Sequence, residues 1–312
     1  MISSTIGIDI SKDFLDVHRL PESEARRFEN NKAGFKALIR WLRATPIGRI
    51  VYEPTGPYHR SFEQALAKAG LPLAKVNARQ ARRFAEATGK IAKTDRTDAA
   101  MLARMGVALE LAVRPISSQI LSELKELNLA RQALIKDRTA AKNRGKILCL
   151  PLLKQHNTQR RKQIDAQIGA IEEDIKARIA EDEQLAERLA ILESIPGISK
   201  ITAFTLLIEM PELGTLNSKQ AASLAGLAPV ARQSGRWTGR AFIRGGRANL
   251  RQALYMPALV AARFNPELSV KYRKLIDAGK PAKIAITAIM RKLIVLSNAL
   301  LRDRRNWAEI RA

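Results

Sequence analysis

The sequence predicts an α/β domain followed by a mainly helical remainder, and three observations predict it. Short β-branched runs alternate with helical periodicity over roughly residues 1–110. From about residue 117 the composition shifts to Leu, Ile, Ala, Glu, Lys, Arg and Gln, with apolar residues three and four apart. From ESIPGISKITAFTLLIEM (193–210) to the end the chain is rich in Ala, Leu and Arg.

TIGIDI (5–10), FLDVHRL (14–20) and ARRFEN (25–30) read as three short strands. KAGFKALIRWLRA (32–44) places Phe35, Leu38, Ile39 and Leu42 at helical spacing, and GRIVYE (48–53) returns to a β-branched run. YHRSFEQALAKAG reads as a helix stopped at Gly70, and LPLAKV (71–76) as a buried strand. RQARRFAEATG and KTDRTDAAMLARM (93–105) are both helical, with Thr94 suited to cap the second. The order β, β, β, α, β, α, β, α makes strands one and four neighbours.

Farther on, Ile164, Ile168, Ile171, Ile175 and Ile179 form one stripe. Pro151 divides the long helical stretch, so the expected object is an antiparallel helical hairpin, a coiled coil with its turn near LPLLKQHN. It serves as a spacer, a dimerisation arm or a nucleic-acid contact. Two helices of about 35 residues reach on the order of 50 Å each. The expected domains are residues 1–112, 113–194 and 195–312.

Fifty-four Lys and Arg against 30 Asp and Glu give a net charge of +24 and a pI near 10.7. Such a field attracts phosphate backbones, so nucleic acid is the expected partner. A membrane surface competes less well, because the charge is spread along the chain and no apolar run approaches the roughly 20 residues of a bilayer span. The N-terminus shows no signal peptide. The lone Cys149, between Leu148 and Leu150, is expected to be a packed thiol in a reducing compartment. Between Leu213 and Pro266 there is no acidic residue, while Arg232, Arg236, Arg240, Arg244, Arg247 and Arg251 all fall there. That is a phosphate-facing surface.

Against this background the acids stand out. Asp9 lies inside the first strand, Glu53 ends the fourth, and Asp95 and Asp98 share a helix face three positions apart. Singly, each has an ordinary explanation as a cap or a first-turn acid. Together, in this topology, they converge, and converging carboxylates call for divalent cations with oxygen ligands: two Mg²⁺, or Mn²⁺, acting on a phosphodiester.

IGIDISK, VYEPTG and KTDRTDAAMLA, in this order, resemble the RuvC-like DEDD domain of the Piv-related insertion-sequence transposases, the bridge-RNA-guided DNA recombinases. SIPGI, LAGLAPVARQSG and RGGRANLRQALYMPA resemble that family's second domain. The resemblance implies an RNase H-like fold for the first domain, with Asp9, Glu53, Asp95 and Asp98 as a metal-binding tetrad. It implies that Ser234, in ARQSGRW, is a nucleophile joined covalently to DNA, working with the metal tetrad of a partner subunit. It further implies a homo-oligomer, dimer or tetramer, on donor and target duplexes, and a structured non-coding guide RNA. Without the resemblance Ser234-Gly235 is an ordinary turn, and SIPGI is either a plain turn or a phosphate-contacting hairpin. The three histidines, His18, His59 and His156, show no metal spacing, though His59 lies near Glu53.

Alternative readings are a RuvC-like metal-dependent endonuclease or junction resolvase without a covalent intermediate, and a non-catalytic nucleic-acid-binding protein. An actin-like ATPase is disfavoured, since further glycine-rich phosphate loops are missing.

Overall fold

The computed structural model describes residues 3–89, 95–113 and 118–307, with residues 95 and 96 as backbone alone. The chain divides into two compact units, Met1–Ser117 and Ser118–Ala312.

In the first unit β1 (Ser4–Ile10), β2 (Phe14–Leu20) and β3 (Glu24–Glu29) run antiparallel in sequence. After α1 (Lys32–Leu42), β4 (Ile47–Tyr52) pairs parallel to β1; after α2 (His59–Lys68), β5 (Leu73–Lys75) pairs parallel to β4. The five-stranded order is β3-β2-β1-β4-β5, which puts strands one and four side by side as expected. Helices α3 (Ala78–Ala87) and α4 (Asp95–Ala108) complete the unit. This mixed sheet is compatible with the RNase H-like fold. The expected cap Thr94 lies outside the described residues.

Alternation along β1 separates two cores. Ile6, Ile8 and Ile10 pack with Phe35, Leu38, Phe62 and Leu66 beneath α1 and α2. On the other face Val51, Ala74 and Val76 meet Met101, Leu102 and Met105 of α4. The seat of α4 is set by missing side chains. A Cβ on Gly7 would stand 2.0 Å from the Ala99 carbonyl oxygen and 2.4 Å from the Ala103 nitrogen, so helix backbone lies directly on strand backbone. A Cβ on Gly106 would meet Val51 and Thr5 at 2.6 and 2.8 Å. Ascending α4 from residue 99 to 106 therefore descends β1 from 7 to 5, and the two elements are antiparallel.

In the second unit α5 (Gln119–Gly145) and α6 (Pro151–Ala180) form the long hairpin. Its direction follows from the ion pairs Arg131–Glu172 at 2.7 Å and Arg138–Asp165 at 3.3 Å, which climb one helix while descending the other. Ile164, Ile168, Ile175 and Ile179 are buried, and Ile171 is partly so. The turn is shorter and earlier than expected. It occupies residues 146–150, and LPLLKQHN lies almost wholly in the first turns of α6, because Pro151 sits at a helix start, where its missing N–H costs nothing. Cys149 is exposed in that turn, with Ile147 and Leu150, so the packed thiol is corrected: a hairpin tip has nothing to pack against.

Beyond a break capped by Asp182, α7 (Glu183–Glu193), α8 (Lys200–Glu209) and α9 (Ser218–Leu224) lead to a two-stranded hairpin, β6 (Pro229–Ser234) and β7 (Trp237–Ile243). Helices α10 (Ala248–Ala253), α11 (Tyr255–Phe264), α12 (Pro266–Asp277) and α13 (Ala282–Asp303) follow. Leu124, Ile175 and Ile179 share one core with Phe204, Leu207, Ile289, Leu293 and Ile294, so the base of the helical hairpin and the C-terminal helices pack as one body. The expectation that no run approaches a membrane span is corrected for α13: its 22 residues are long and apolar enough by composition, yet it is a central helix of this core. In SIPGI, Ile195 and Ile198 are buried and Gly197, at φ +104°, lies against Ala261, where a Cβ would approach to 2.8 Å. The turn is thus used for packing.

Gly7→Ala is expected to destabilise the protein by roughly 1–3 kcal/mol, because backbone atoms must part to admit the methyl group. Gly169→Ala, on open surface inside α6, is expected to stabilise by roughly 0.5–1 kcal/mol. Denaturant unfolding of the two variants gives both signs.

Candidate functional site

Asp9 shares the face of β1 that carries Thr5 and Gly7, the face on which α4 lies. Ile8 pairs with Tyr52 in the parallel ladder, so Glu53, the first residue past β4, comes next to Asp9 at the C-terminal end of both strands. Because α4 runs antiparallel to β1, its N-terminal turn, with Asp95 and Asp98, lies toward that end too. Strand order, alternation and helix direction thus bring the elements carrying all four acids to one end of the sheet. The side chain of Asp95 lies outside the described residues. Among the described residues no three Asp, Glu, His or Cys side chains form a group that could hold a metal ion. Asp9, Glu53 and Asp98 each have a polar or electrostatic partner. The donor chemistry nonetheless suits hard divalent cations, being carboxylate oxygen throughout.

A further acid was not singled out in the sequence. Asp16 is the cross-strand partner of Asp9 and is buried. Two carboxylates directly opposite repel, and Arg27 neutralises one of them through a fork: Nε to Oδ1 at 3.0 Å and Nη2 to Oδ2 at 2.8 Å. Beside them lies a cavity of about 360 Å³ lined by Asp16, Arg26, Arg27 and Ala99 among others. Only the register identifies Asp16, and a single sequence does not show register.

The turn after Glu53 is clamped from α2. His59 Nδ1 lies 2.9 Å from the Gly56 carbonyl, which can only accept, so this nitrogen is the donor; Nε2 lies 3.5 Å from Glu63. Glu63 also accepts from Lys75 Nζ at 2.8 Å and from the Tyr52 hydroxyl. Burial and the bond to Glu63 push the Tyr52 phenol far up. Burial, then the nearby Lys75 and Arg60 charges, hold the His59 imidazole below its ordinary value, against the opposing pull of Glu63.

In the second unit Ser234 ends β6, pairs with Trp237, and is followed by a loop of Gly235 and Arg236. Gly235 has φ +55°, the conformation that a two-residue hairpin loop with Gly first requires. Every residue of β6 is exposed. Arg232, Arg236, Arg240 and Arg244 are exposed on or beside this hairpin. Arg247 is engaged elsewhere, forked onto Glu212 at 2.6 and 2.8 Å and bonded to the Glu209 carbonyl at 2.7 Å. Arg251 donates to the Gly245 carbonyl at 2.8 Å.

Residues 6–150 match the DEDD transposase family of the IS110 type, described as a transposase. Residues 189–273 match the transposase family IS116/IS110/IS902. The chain belongs to the IS110 family of transposases. It is 30% identical over 98% of both chains to the pilin gene-inverting protein of Moraxella bovis, and equally so to that of Moraxella lacunata. It is 32% identical over 116 residues to an uncharacterized 43.6 kDa protein of insertion element IS110 from Streptomyces coelicolor, covering 36% of this chain and 28% of that one. As an IS110-family transposase it recombines DNA, which accounts for the basic balance of the chain. The alternative of a non-catalytic binding protein falls away.

Two outcomes follow. Because the folded His59 binds its proton less readily than the unfolded chain, it contributes stability above the ordinary imidazole pKa that is lost as pH falls through that value toward the folded one. The unfolding midpoint of the native protein is therefore expected to drop more between pH 7 and pH 5 than that of His59→Gln, measured side by side. Arg247→Ala is expected to cost roughly 1–3 kcal/mol of stability, and Arg240→Ala little, on the same denaturant assay.

Proposed function

We propose that this IS110-family transposase cuts and rejoins donor and target DNA strands by transferring a phosphodiester to Ser234, with Asp9, Glu53, Asp95 and Asp98 as the metal-binding set. The observation that carries the reading is the backbone contact at Gly7, since it turns the N-terminal turn of α4 toward the end of the sheet holding Asp9 and Glu53. Family membership supports divalent-metal dependence. When bound, two Mg²⁺ ions, or Mn²⁺, supply positive charge to an in-line displacement at phosphorus.

The chain's own groups do the rest. The Ser234 hydroxyl, exposed at a hairpin end, attacks phosphorus. Its Oγ–P bond forms as the P–O bond to the departing strand breaks, the proton the hydroxyl gives up ends on the departing oxygen, and the phosphodiester is conserved for rejoining. Arg232 and Arg236 hold the phosphate oxygens as charge develops on them. Arg240 and Arg244 extend the cationic track, while Arg247 and Arg251 shape its base. The RNase H-like arrangement of the first unit presents the carboxylates at one end of a rigid sheet.

The assembly is a homo-oligomer, dimer or tetramer, that pairs the serine of one subunit with the tetrad of another; the long hairpin of α5 and α6, reaching about 40 Å, supports such reach. A structured non-coding RNA from the element pairs with donor and target DNA, so that base pairing chooses the sequence. The surplus of cationic residues along the whole chain supports a second polyanion beside DNA. The work takes place in the prokaryotic cytoplasm, at the nucleoid.

Ser234→Ala is expected to lose both recombination and the covalent protein–DNA adduct seen on denaturing gels; an adduct that persists in this variant removes Ser234 as nucleophile, and cleavage by the native protein with no adduct replaces this reading by the nuclease or resolvase alternative. Asp9→Asn and Asp98→Asn are expected to lower recombination on the order of 100-fold or more. Chelation should abolish activity, and Mg²⁺ or Mn²⁺ should restore it.

A further inference from the structure

The β6–β7 hairpin is a sheet of two strands only, and both are exposed. A lone hairpin of this size is marginal in water. Its register sorts the side chains. Ser234 faces Trp237 and Arg232 faces Gly239; a bulge then sets Val230 against Phe242. Directly opposed residues point to one face, so Val230, Arg232 and Ser234 of β6 share a face with Trp237, Gly239 and Phe242 of β7.

On this face the indole of Trp237 lies back over Gly239, since a Cβ there would meet the ring at 2.3 Å. The ring is pinned on one side and open on the other, with 57% of the residue exposed. The Arg232 guanidinium stands 5.9 Å from the centroid of the Phe242 ring. Indole, guanidinium and phenyl thus share one face of the hairpin with Ser234. No acidic residue occurs between Leu213 and Pro266, so this face is charged only in the sense that attracts phosphate.

We propose that Trp237, with Arg232 and Phe242, is a stacking platform for unpaired DNA bases beside the phosphate that Ser234 attacks. The proposal rests on the reading of Ser234 as nucleophile. An exposed aromatic ring with cations around it is what single-strand binding surfaces use. Duplex bases are already stacked on each other, whereas a strand opened for exchange exposes base faces that need a partner. Stacking there would hold the scissile phosphate in register with the serine.

The indole also reports on its own occupancy. The other two tryptophans, Trp41 and Trp307, are 9% and 8% exposed, so Trp237 dominates the quenchable fluorescence. The full-length protein is titrated with a single-stranded DNA oligonucleotide, the same length made abasic, an RNA oligonucleotide and duplex DNA. The expected result is strong quenching by single-stranded DNA and little by the abasic strand or the duplex. Trp237→Ala is expected to weaken single-strand binding roughly tenfold or more, and Trp237→Phe to retain most of it. Equal binding of abasic and normal strands, preference for RNA over DNA, or unchanged affinity in Trp237→Ala overturns the platform. Circular dichroism and thermal unfolding of each variant show that a loss is not misfolding.

Ser234→Ala separates the two readings. Quenching that persists in this variant while the adduct vanishes supports both. Should the adduct vanish in Ser234→Ala but Trp237→Ala bind as before, the serine stands and the platform falls. Should the adduct survive in Ser234→Ala, the nucleophile reading falls, and the stacking proposal falls with it as a statement about the scissile phosphate.

Discussion

The contact of α4 with β1 through Gly7 is the constraint on which the acidic end of the first unit depends. Side chains ordinarily hold packed layers apart, about 10 Å for two sheets, and here Gly7, Ala99 and Ala103 remove that spacer. The helix backbone therefore lies directly on the strand backbone, which brings the elements carrying the acids to one end of the sheet. The pairing of Asp9 with Asp16 across β1 and β2 has an electrostatic cost that the fold meets with its own residues. Asp16, opposite Asp9 and on the same face of the sheet, is held in a fork by Arg27.

Much of the first unit was legible because its strands and helices differ in period. TIGIDI and GRIVYE are runs of β-branched residues, and KAGFKALIRWLRA carries its apolar residues three and four apart; each gave its element to within two residues. The adjacency of β1 and β4 followed from element order alone. What the sequence did not disclose was register, so Asp16 and the fork of Arg27 remained unseen. Nor did it show that His59 holds the turn behind Glu53 by its bond to the Gly56 carbonyl, a matter of ring orientation. The acids themselves were visible as residues out of place in a basic chain, but the position of the Asp95 side chain is beyond the described residues.

The second unit was read less well, for a local reason. Pro151 is the first residue of the second long helix and not a divider between two, because proline marks helix starts as well as breaks. The β6–β7 hairpin escaped notice because its strands bury neither face and so show no alternation of apolar and polar residues; only the glycine of its loop betrays it. Among the arginines, composition could not separate those facing solvent from Arg247, whose planar fork is matched to Glu212. Glu212 is the last acid before the acid-free stretch, and its pairing keeps one guanidinium within the fold while its neighbours remain outside.

The exposed position of Cys149 at the end of the helical arm has a consequence of simple arithmetic. A chain with one sulfhydryl has no intramolecular mate for it, so any disulfide it forms joins it to another molecule. Oxidation in storage would begin at the arm's far end and yield covalent pairs linked tip to tip. Such pairs record the chemistry of the storage buffer.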